Sequence, residues 1–250
     1  MSLTVTVLGS SGGYASPGRA CSGYLLQNGR DSLALDLGAG AFSNLLRYVP
    51  ADELGGLALT HMHYDHYVDI YGLCTARRFW VADLPPLPLL VPPGALDVIM
   101  SSLEEGARSD FLRSLELIEA RSGAVESIAG FDILAGPAEH NAGSFTYRVT
   151  LGGKTICYSG DTDLSDALLE QARGADLFIC ESTFTSEVSE KMRGHLFATE
   201  AGRVAQQAGV DTLLLTHLWP TLSDDRAAED ARSAFDGKVQ VATEGLTVEL

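Results

Sequence analysis

His61-Met62-His63-Tyr64-Asp65-His66 holds three of the chain's six histidines within six residues. In an extended segment His61 and His63 project to one side, and a turn after them swings Asp65 and His66 toward a neighbouring point. The run Leu57–Thr60 before the segment has strand character, and Val68 to Trp80 after it carries apolar residues at near-helical spacing. Strand, histidine-rich loop and helix in that order put the cluster at the carboxyl end of a strand in an α/β chain. Such a cluster points to metal. A structural zinc site remains an alternative, but those sites are closed by four ligands that commonly include cysteine, and Cys21, Cys74, Cys157 and Cys180 all lie elsewhere.

Moving outward, Leu3–Leu8 alternates around Val5 and Val7, and Asn28-Gly29 between Tyr24–Leu26 and Leu33–Leu35 is a hairpin signal. The second half alternates: strand Thr155–Tyr158, helix Leu164–Ala172, strand Leu177–Cys180, helix Thr199–Ala208, strand Thr212–Thr216. A last helix is expected over Ser223–Phe235, and two short strands around Gly245. Three further candidates follow strand-like runs: His140 after Ile133–Pro137, Asp161 after Thr155–Tyr158 and His217 after Leu213–Thr216. Ligands at strand ends can converge in one cleft. Residues 84–93, LPPLPLLVPP, are too proline-rich for a central strand and read as an edge strand or rigid loop, an insertion bordering the site. The stretch to residue 120 has weak helical patterning and no assigned role.

With 250 residues and 46% hydrophobic content, the chain is expected to form a single domain, residues 1–250, around one substantial core. No apolar run approaches the roughly 20 residues of a membrane span, and residues 1–30 lack the pattern of a secretory signal, so a soluble cytoplasmic protein without a membrane partner is expected. The cysteines, without close pairs, read as reduced core residues. A net charge of −16 disfavours long nucleic acid and fits small substrates, and it also serves solubility.

The histidine segment, Tyr158-Ser159-Gly160-Asp161-Thr162 and Leu215-Thr216-His217, in this order, resemble the metallo-β-lactamase superfamily across nearly the whole chain. Gly194-His195 and Leu35-Asp36-Leu37-Gly38 resemble its ribonuclease Z-like branch. The resemblance implies an α/β fold, the αββα four-layer sandwich. It implies one metal on His61, His63 and His140, a second on Asp65, His66 and His217, and Asp161 between them. Zinc suits imidazole and carboxylate, with manganese or iron as substitutes. Asp36 would orient a ligand histidine. Two divalent ions lower the pKa of a water between them toward ~7 and stabilise the attacking and leaving oxygens of an in-line displacement. The catalytic set is then Asp65, with His195 as general acid and Glu181 orienting it.

Ribonuclease Z enzymes carry an RNA-gripping arm between the third histidine motif and the bridging aspartate. Here only the 20 residues 141–160 lie there, room for a hairpin. The arm-less pattern, with Gly-Ser-Ser-Gly near the start and Trp219-Pro220 after His217, is similar to bacterial cyclic-nucleotide phosphodiesterases. A small phosphodiester such as a cyclic nucleotide is the expected substrate. Transfer-RNA 3′ processing is the alternative; hydrolysis of a thioester, lactone or β-lactam and a non-catalytic metal-binding role stay behind both. The resembling family commonly dimerises, so a homodimer is a further expectation. Two lesser features remain open: Gly9–Gly13 as a phosphate-binding turn or a plain tight turn, and Tyr64, Tyr67 and Trp80 as a stacking wall or core.

Overall fold

The computed structural model describes residues 2–80 and 84–250. The first half runs β1 (Thr4–Gly9), β2 (Gly23–Asn28), β3 (Asp31–Leu37), α1 (Ala41–Leu45), β4 (Gly56–Ala58), α2 (Tyr64–Tyr67), α3 (Ile70–Trp80), β5 (Leu87–Val91), α4 (Ala95–Ser101), α5 (Glu105–Arg113) and β6 (Leu115–Glu119). The second runs β7 (Val125–Ile128), β8 (Phe131–Pro137), β9 (Phe145–Leu151), β10 (Lys154–Tyr158), α6 (Asp166–Ala172), β11 (Leu177–Glu181), α7 (Ala198–Ala208), β12 (Thr212–Thr216), α8 (Asp224–Arg232), β13 (Lys238–Val241) and β14 (Thr247–Glu249).

The strands form two seven-stranded sheets, ordered β14-β1-β2-β3-β4-β5-β6 and β13-β12-β11-β10-β9-β8-β7. In each, antiparallel pairing gives way to parallel pairing: from β3 to β6 in the first sheet, from β10 to β13 in the second. Alternation along the strands explains the layers. Tyr24, Leu26, Leu33 and Leu35 face Ile156, Tyr158, Leu177, Ile179 and Leu214 between the sheets. Their neighbours Leu25, Ala34 and Leu37 meet the helices of the first half, and Cys157, Phe178, Cys180, Leu213 and Leu215 meet those of the second. Burial on both faces is why these strands read as continuous apolar runs rather than alternating ones. The result is the expected αββα sandwich, and all four cysteines are free and buried within it. No helix among the described residues is long and apolar enough to cross a membrane.

Two expectations fail. Residues 84–93 supply an interior strand: β5 lies between β4 and β6 in parallel with both. Pro88 is tolerated because of its parity. Leu87 N–H donates to Ser114 on the β6 side and the Leu90 carbonyl accepts from Leu59 on the β4 side. Pro88 thus faces β4, ahead of the first registered pair Leu57–Leu89, where β4 is only beginning. The chain after β5 does reach the site's border, because Pro92, Pro93, Gly94 and Val98 wall a cavity beside His61 and His63. The helix expected from Val68 also differs: α2 starts at Tyr64, and α3 follows as a separate helix. Asp69 makes the break, donating its N–H to Leu37 and accepting Phe42 N–H on its carboxylate. Asp65 and His66 are therefore held by a helical turn.

Topology brings the candidates together. β1 and β3 run parallel to β4, and β8 runs parallel to β10, β11 and β12, so the carboxyl ends of all seven strands open on one edge of the sandwich.

Candidate metal centre

On that edge the inward ring nitrogens of three histidines meet. His61 Nε2 and His140 Nε2 each lie 3.1 Å from His63 Nδ1. Asp161 Oδ2 is 3.6 Å from His61 Nε2 and 3.8 Å from His140 Nε2. A second group lies beside the first: His217 Nε2 is 3.2 Å from His66 Nε2 and 3.1 Å from Asp65 Oδ2. The other oxygen of Asp161, Oδ1, is 3.2 Å from His66 Nε2 and 3.4 Å from His217 Nε2. One carboxylate thus serves both groups, one oxygen to each. All seven residues read from the sequence as ligands converge here.

The outer faces of the rings fix their tautomers. His66 Nδ1 donates to Asp36 Oδ2 at 2.7 Å, and His140 Nδ1 donates to the Gly194 carbonyl at 2.9 Å. Thr60 Oγ1 gives its proton to Asp36 Oδ2, so at 3.1 Å it accepts from His61 Nδ1. Thr183 Oγ1 gives its proton to Glu181 Oε2, so at 2.9 Å it accepts from His217 Nδ1. Each of these rings therefore turns a bare Nε2 lone pair inward. His63 is reversed, with Nδ1 inward and the Asn141 amide 2.7 Å from its Nε2.

Lone pairs facing one another at such distances repel unless a cation lies among them. Asp161 Oδ1 is buried and has no hydrogen-bond partner among the described residues. The donor set is thus suited to hold metal ions. Electrostatics agree. Burial pushes the His61 pKa well below the ordinary imidazole range, assisted by charge on His66, which favours the neutral ring a metal requires. Burial opposes ionisation of Asp161, but His217 and His66 outweigh it and hold the carboxyl well below its usual range. His66 is the exception: burial opposes its charge, but Asp161 and Asp36 overcome it and raise that pKa, so without a metal a proton on Nε2 is favoured there, in the place a metal cation would take.

Above the cluster, His195 Nδ1 donates to Glu181 Oε1 at 3.1 Å and lies 3.9 Å from Asp161 Oδ2. Burial disfavours the imidazolium, and the bond to Glu181 outweighs it, so the His195 pKa is raised. Glu181 also accepts Thr162, Thr183 and Leu196 N–H, which locks its carboxylate at the end of β11. The segment carrying His195 is pinned again where Phe197 N–H meets Glu200 at the start of α7. Gly194 is required: its φ is +85°, and a Cβ there would lie 2.7 Å from His140 Nδ1.

Several contributors are absent from the sequence reading. Thr183 links Glu181 to His217, and its only sequence signal is a position two residues beyond Glu181. Tyr158 O–H donates to Asp36 Oδ2 at 2.7 Å, from a residue that the sequence marks only as a strand end and the first of the Tyr158–Thr162 motif. The Gly9–Gly13 turn offers no free cradle for phosphate. Its N–H groups at Ser10 and Ser11 go to the Ala20 carbonyl, Gly12 N–H to Leu218, and Gly13 N–H to Asp65 Oδ2 at 2.8 Å. The turn instead holds Asp65, one of the candidate ligands. Of the aromatic residues near the cluster, Tyr67 is core and Tyr64 is 75% exposed; the Trp80 side chain lies outside the described residues.

Comparison with known proteins agrees with this geometry. The family model for the beta-lactamase superfamily domain matches residues 35–218, from β3 to just past His217. The chain belongs to the β-lactamase superfamily. A probable metallo-hydrolase of Bacillus subtilis strain 168, YhfI, is 31% identical over 250 residues, spanning 99% of this chain and 100% of the relative. The crystal structure of YhfI superposes with a TM-score of 0.90 at 30% identity and covers 100% of both chains. Ribonuclease Z of Myxococcus xanthus strain DK1622 is 27% identical over 302 residues, covering 99% of this chain and 98% of its own. These matches are consistent with the ribonuclease Z-like branch. Human tRNase Z, short form, at 21% identity, shares the fold with a TM-score of 0.78 over 98% of each chain.

Proposed function

We propose that this metallo-hydrolase cleaves a small phosphodiester, such as a cyclic nucleotide, with His195 as the proton donor. The observation that carries the reading is the His195–Glu181 pair set against the shared ligand Asp161. His61, His63 and His140 would hold one divalent ion and Asp65, His66 and His217 the other, zinc being the best match to imidazole and carboxylate. Bound there, such ions supply Lewis-acid neutralisation of the phosphoryl oxygens and acidify water.

The protein's own part is positioning and proton transfer. Glu181 fixes the His195 ring through Nδ1, and Nε2 has no hydrogen bond among the described residues, so the raised pKa makes it a donor to a leaving alkoxide near neutral pH. Ester and lactam hydrolysis need this donor less. Asp161, beneath both donor groups, keeps the imidazoles of the two clusters in one frame.

Transfer-RNA processing is the second reading, favoured by the full-length match to ribonuclease Z. Two features weigh against it. Between His140 and Asp161 the chain builds only the β9–β10 hairpin. The alignment with the Myxococcus enzyme runs over 302 positions, more than the 250 residues of this chain, so that relative carries added segments.

The test is metal analysis followed by assays on cyclic AMP, cyclic GMP, bis-p-nitrophenyl phosphate, a transfer-RNA precursor, a thioester and a β-lactam. Turnover of the cyclic nucleotides is expected; cleavage of the last two alone rejects the proposal. His195→Ala should lower kcat by ~10²–10⁴ while metal content stays full. Unchanged turnover removes His195 as the acid.

A further inference from the structure

Four rings run in file from His195 to the surface. His195 meets Phe184 with centroids 6.3 Å apart, and Phe184 lies nearly parallel to Trp219 at 6.4 Å and 17°. Trp219 in turn meets Tyr14 at 5.8 Å and 86°. Exposure rises along the file, from 8% for Phe184 through the half-buried Trp219 to 47% for Tyr14.

The outer pair is rigidly mounted. Trp219 follows the ligand His217 by two residues, and its N–H donates to the Thr183 carbonyl. Tyr14 stands on the Gly12-Gly13 turn, which is pressed against the same segment: a Cβ on Gly12 would lie 2.9 Å from His217 Nδ1, and one on Gly13 would lie 2.9 Å from the Trp219 ring. Gly13 N–H holds Asp65, and Ser11 Oγ donates to the Tyr14 carbonyl at 2.8 Å. A half-exposed aromatic ring on a loop bolted to two ligand-bearing segments does not serve the core. With Trp219 standing perpendicular to it, the half-exposed Tyr14 ring offers an aromatic surface at the border of the site, on the side of the proton donor.

We infer that Tyr14, braced by the perpendicular ring of Trp219, forms a stacking platform for the nucleobase of the substrate, on the leaving-group side of the metal centre. The inference rests on the phosphodiester reading and names its substrate class as nucleoside phosphodiesters. Base stacking suits this chain because it needs no cation from a strongly acidic protein, and an aromatic ring accepts any base.

The experiment is calorimetric binding of adenosine 5′-monophosphate and ribose 5-phosphate to the zinc-loaded enzyme, with Tyr14→Ala and Tyr14→Phe as variants. The wild-type protein should bind the nucleotide ~10–100-fold more tightly than the sugar phosphate, Tyr14→Ala should reduce that ratio ~5–50-fold, and Tyr14→Phe should restore it. Equal affinities in the wild type, or a Tyr14→Ala loss shared equally by both probes, overturn the platform. Binding does not depend on turnover, so the two readings fail separately. A Tyr14-dependent preference without hydrolysis of any phosphodiester keeps the platform and sinks the phosphodiesterase; phosphodiester hydrolysis without the preference does the reverse.

Discussion

Asp36 accepts four hydrogen bonds and stands behind the candidate metal ligands rather than among them. Oδ1 takes Thr60 N–H, and Oδ2 takes Thr60 O–H, Tyr158 O–H and His66 Nδ1–H. The residue sits at φ +55°, a left-handed conformation that costs about 1–3 kcal/mol outside glycine and is held by those bonds. Its role is to make His66 present Nε2. Asp36→Asn places an amide donor against the Nδ1–H and should weaken zinc binding ~10–100-fold in a chelator competition, with Tyr158→Phe weakening it less. Wild-type affinity in Asp36→Asn would remove the anchoring role. Asp36 is legible only through the Leu35-Asp36-Leu37-Gly38 resemblance, because a carboxylate at a strand end has many ordinary uses. The ligands are far more legible, since three histidines crowded into six residues seldom serve anything but a metal. Thr183 and Tyr158 are not, because a hydroxyl that shares its proton with a carboxylate leaves no mark on composition or periodicity.

At the scale of elements, the turn before β11 clasps the start of β10. Asp176 accepts Thr155 N–H on Oδ2 and Lys154 Nζ on Oδ1, each at 2.8 Å, and returns its own N–H to the Thr155 carbonyl. Burial opposes ionisation of Asp176, but Lys154 outweighs it and the pKa is lowered. A carboxyl lowered in the folded state stabilises above its unfolded value of 3.8, and that contribution fades as pH falls through the folded value. Asp176→Asn should therefore lower Tm by ~2–4 °C at neutral pH, and the difference should shrink in acid. A pH-independent difference would assign the effect to packing. The elements themselves are readable where one signal dominates, as in the alternation of strands and helices from β10 to β12. β5 escapes such a reading because its prolines argue against a central strand by residue type, whereas what decides is the direction each missing N–H faces. The break between α2 and α3 is hidden for a similar reason: Asp69 ends a helical run through a hydrogen bond to β3, far away in sequence.

For the whole molecule, the net charge of −16 separates the two phosphodiester readings. Among the residues lining the hollow of about 520 Å³ beside His140, Arg193 is the one Lys or Arg, set against Glu139 and an Asp163 already paired with Lys191, so this side of the centre carries no basic track. A small anionic substrate then meets a repulsive field over several ångströms. Salt shortens that field, since the Debye length falls from ~30 Å at 0.01 M to ~8 Å at 0.15 M. For a cyclic nucleotide, kcat/KM should rise modestly, ~2–5-fold, across this range. A folded RNA gripped through phosphates behaves oppositely: ion release drives its binding, and six to ten such contacts lose ~10³–10⁵ in affinity between 50 and 200 mM salt. The measurement is kcat/KM at fixed zinc and pH against added potassium chloride, on cyclic AMP and on a transfer-RNA precursor. A rise for the nucleotide with little or no RNA cleavage is the expected pattern. Efficient RNA cleavage that collapses with salt would instead mean that the acidic surface conceals a phosphate-gripping face, and transfer-RNA processing would take the place of the small substrate.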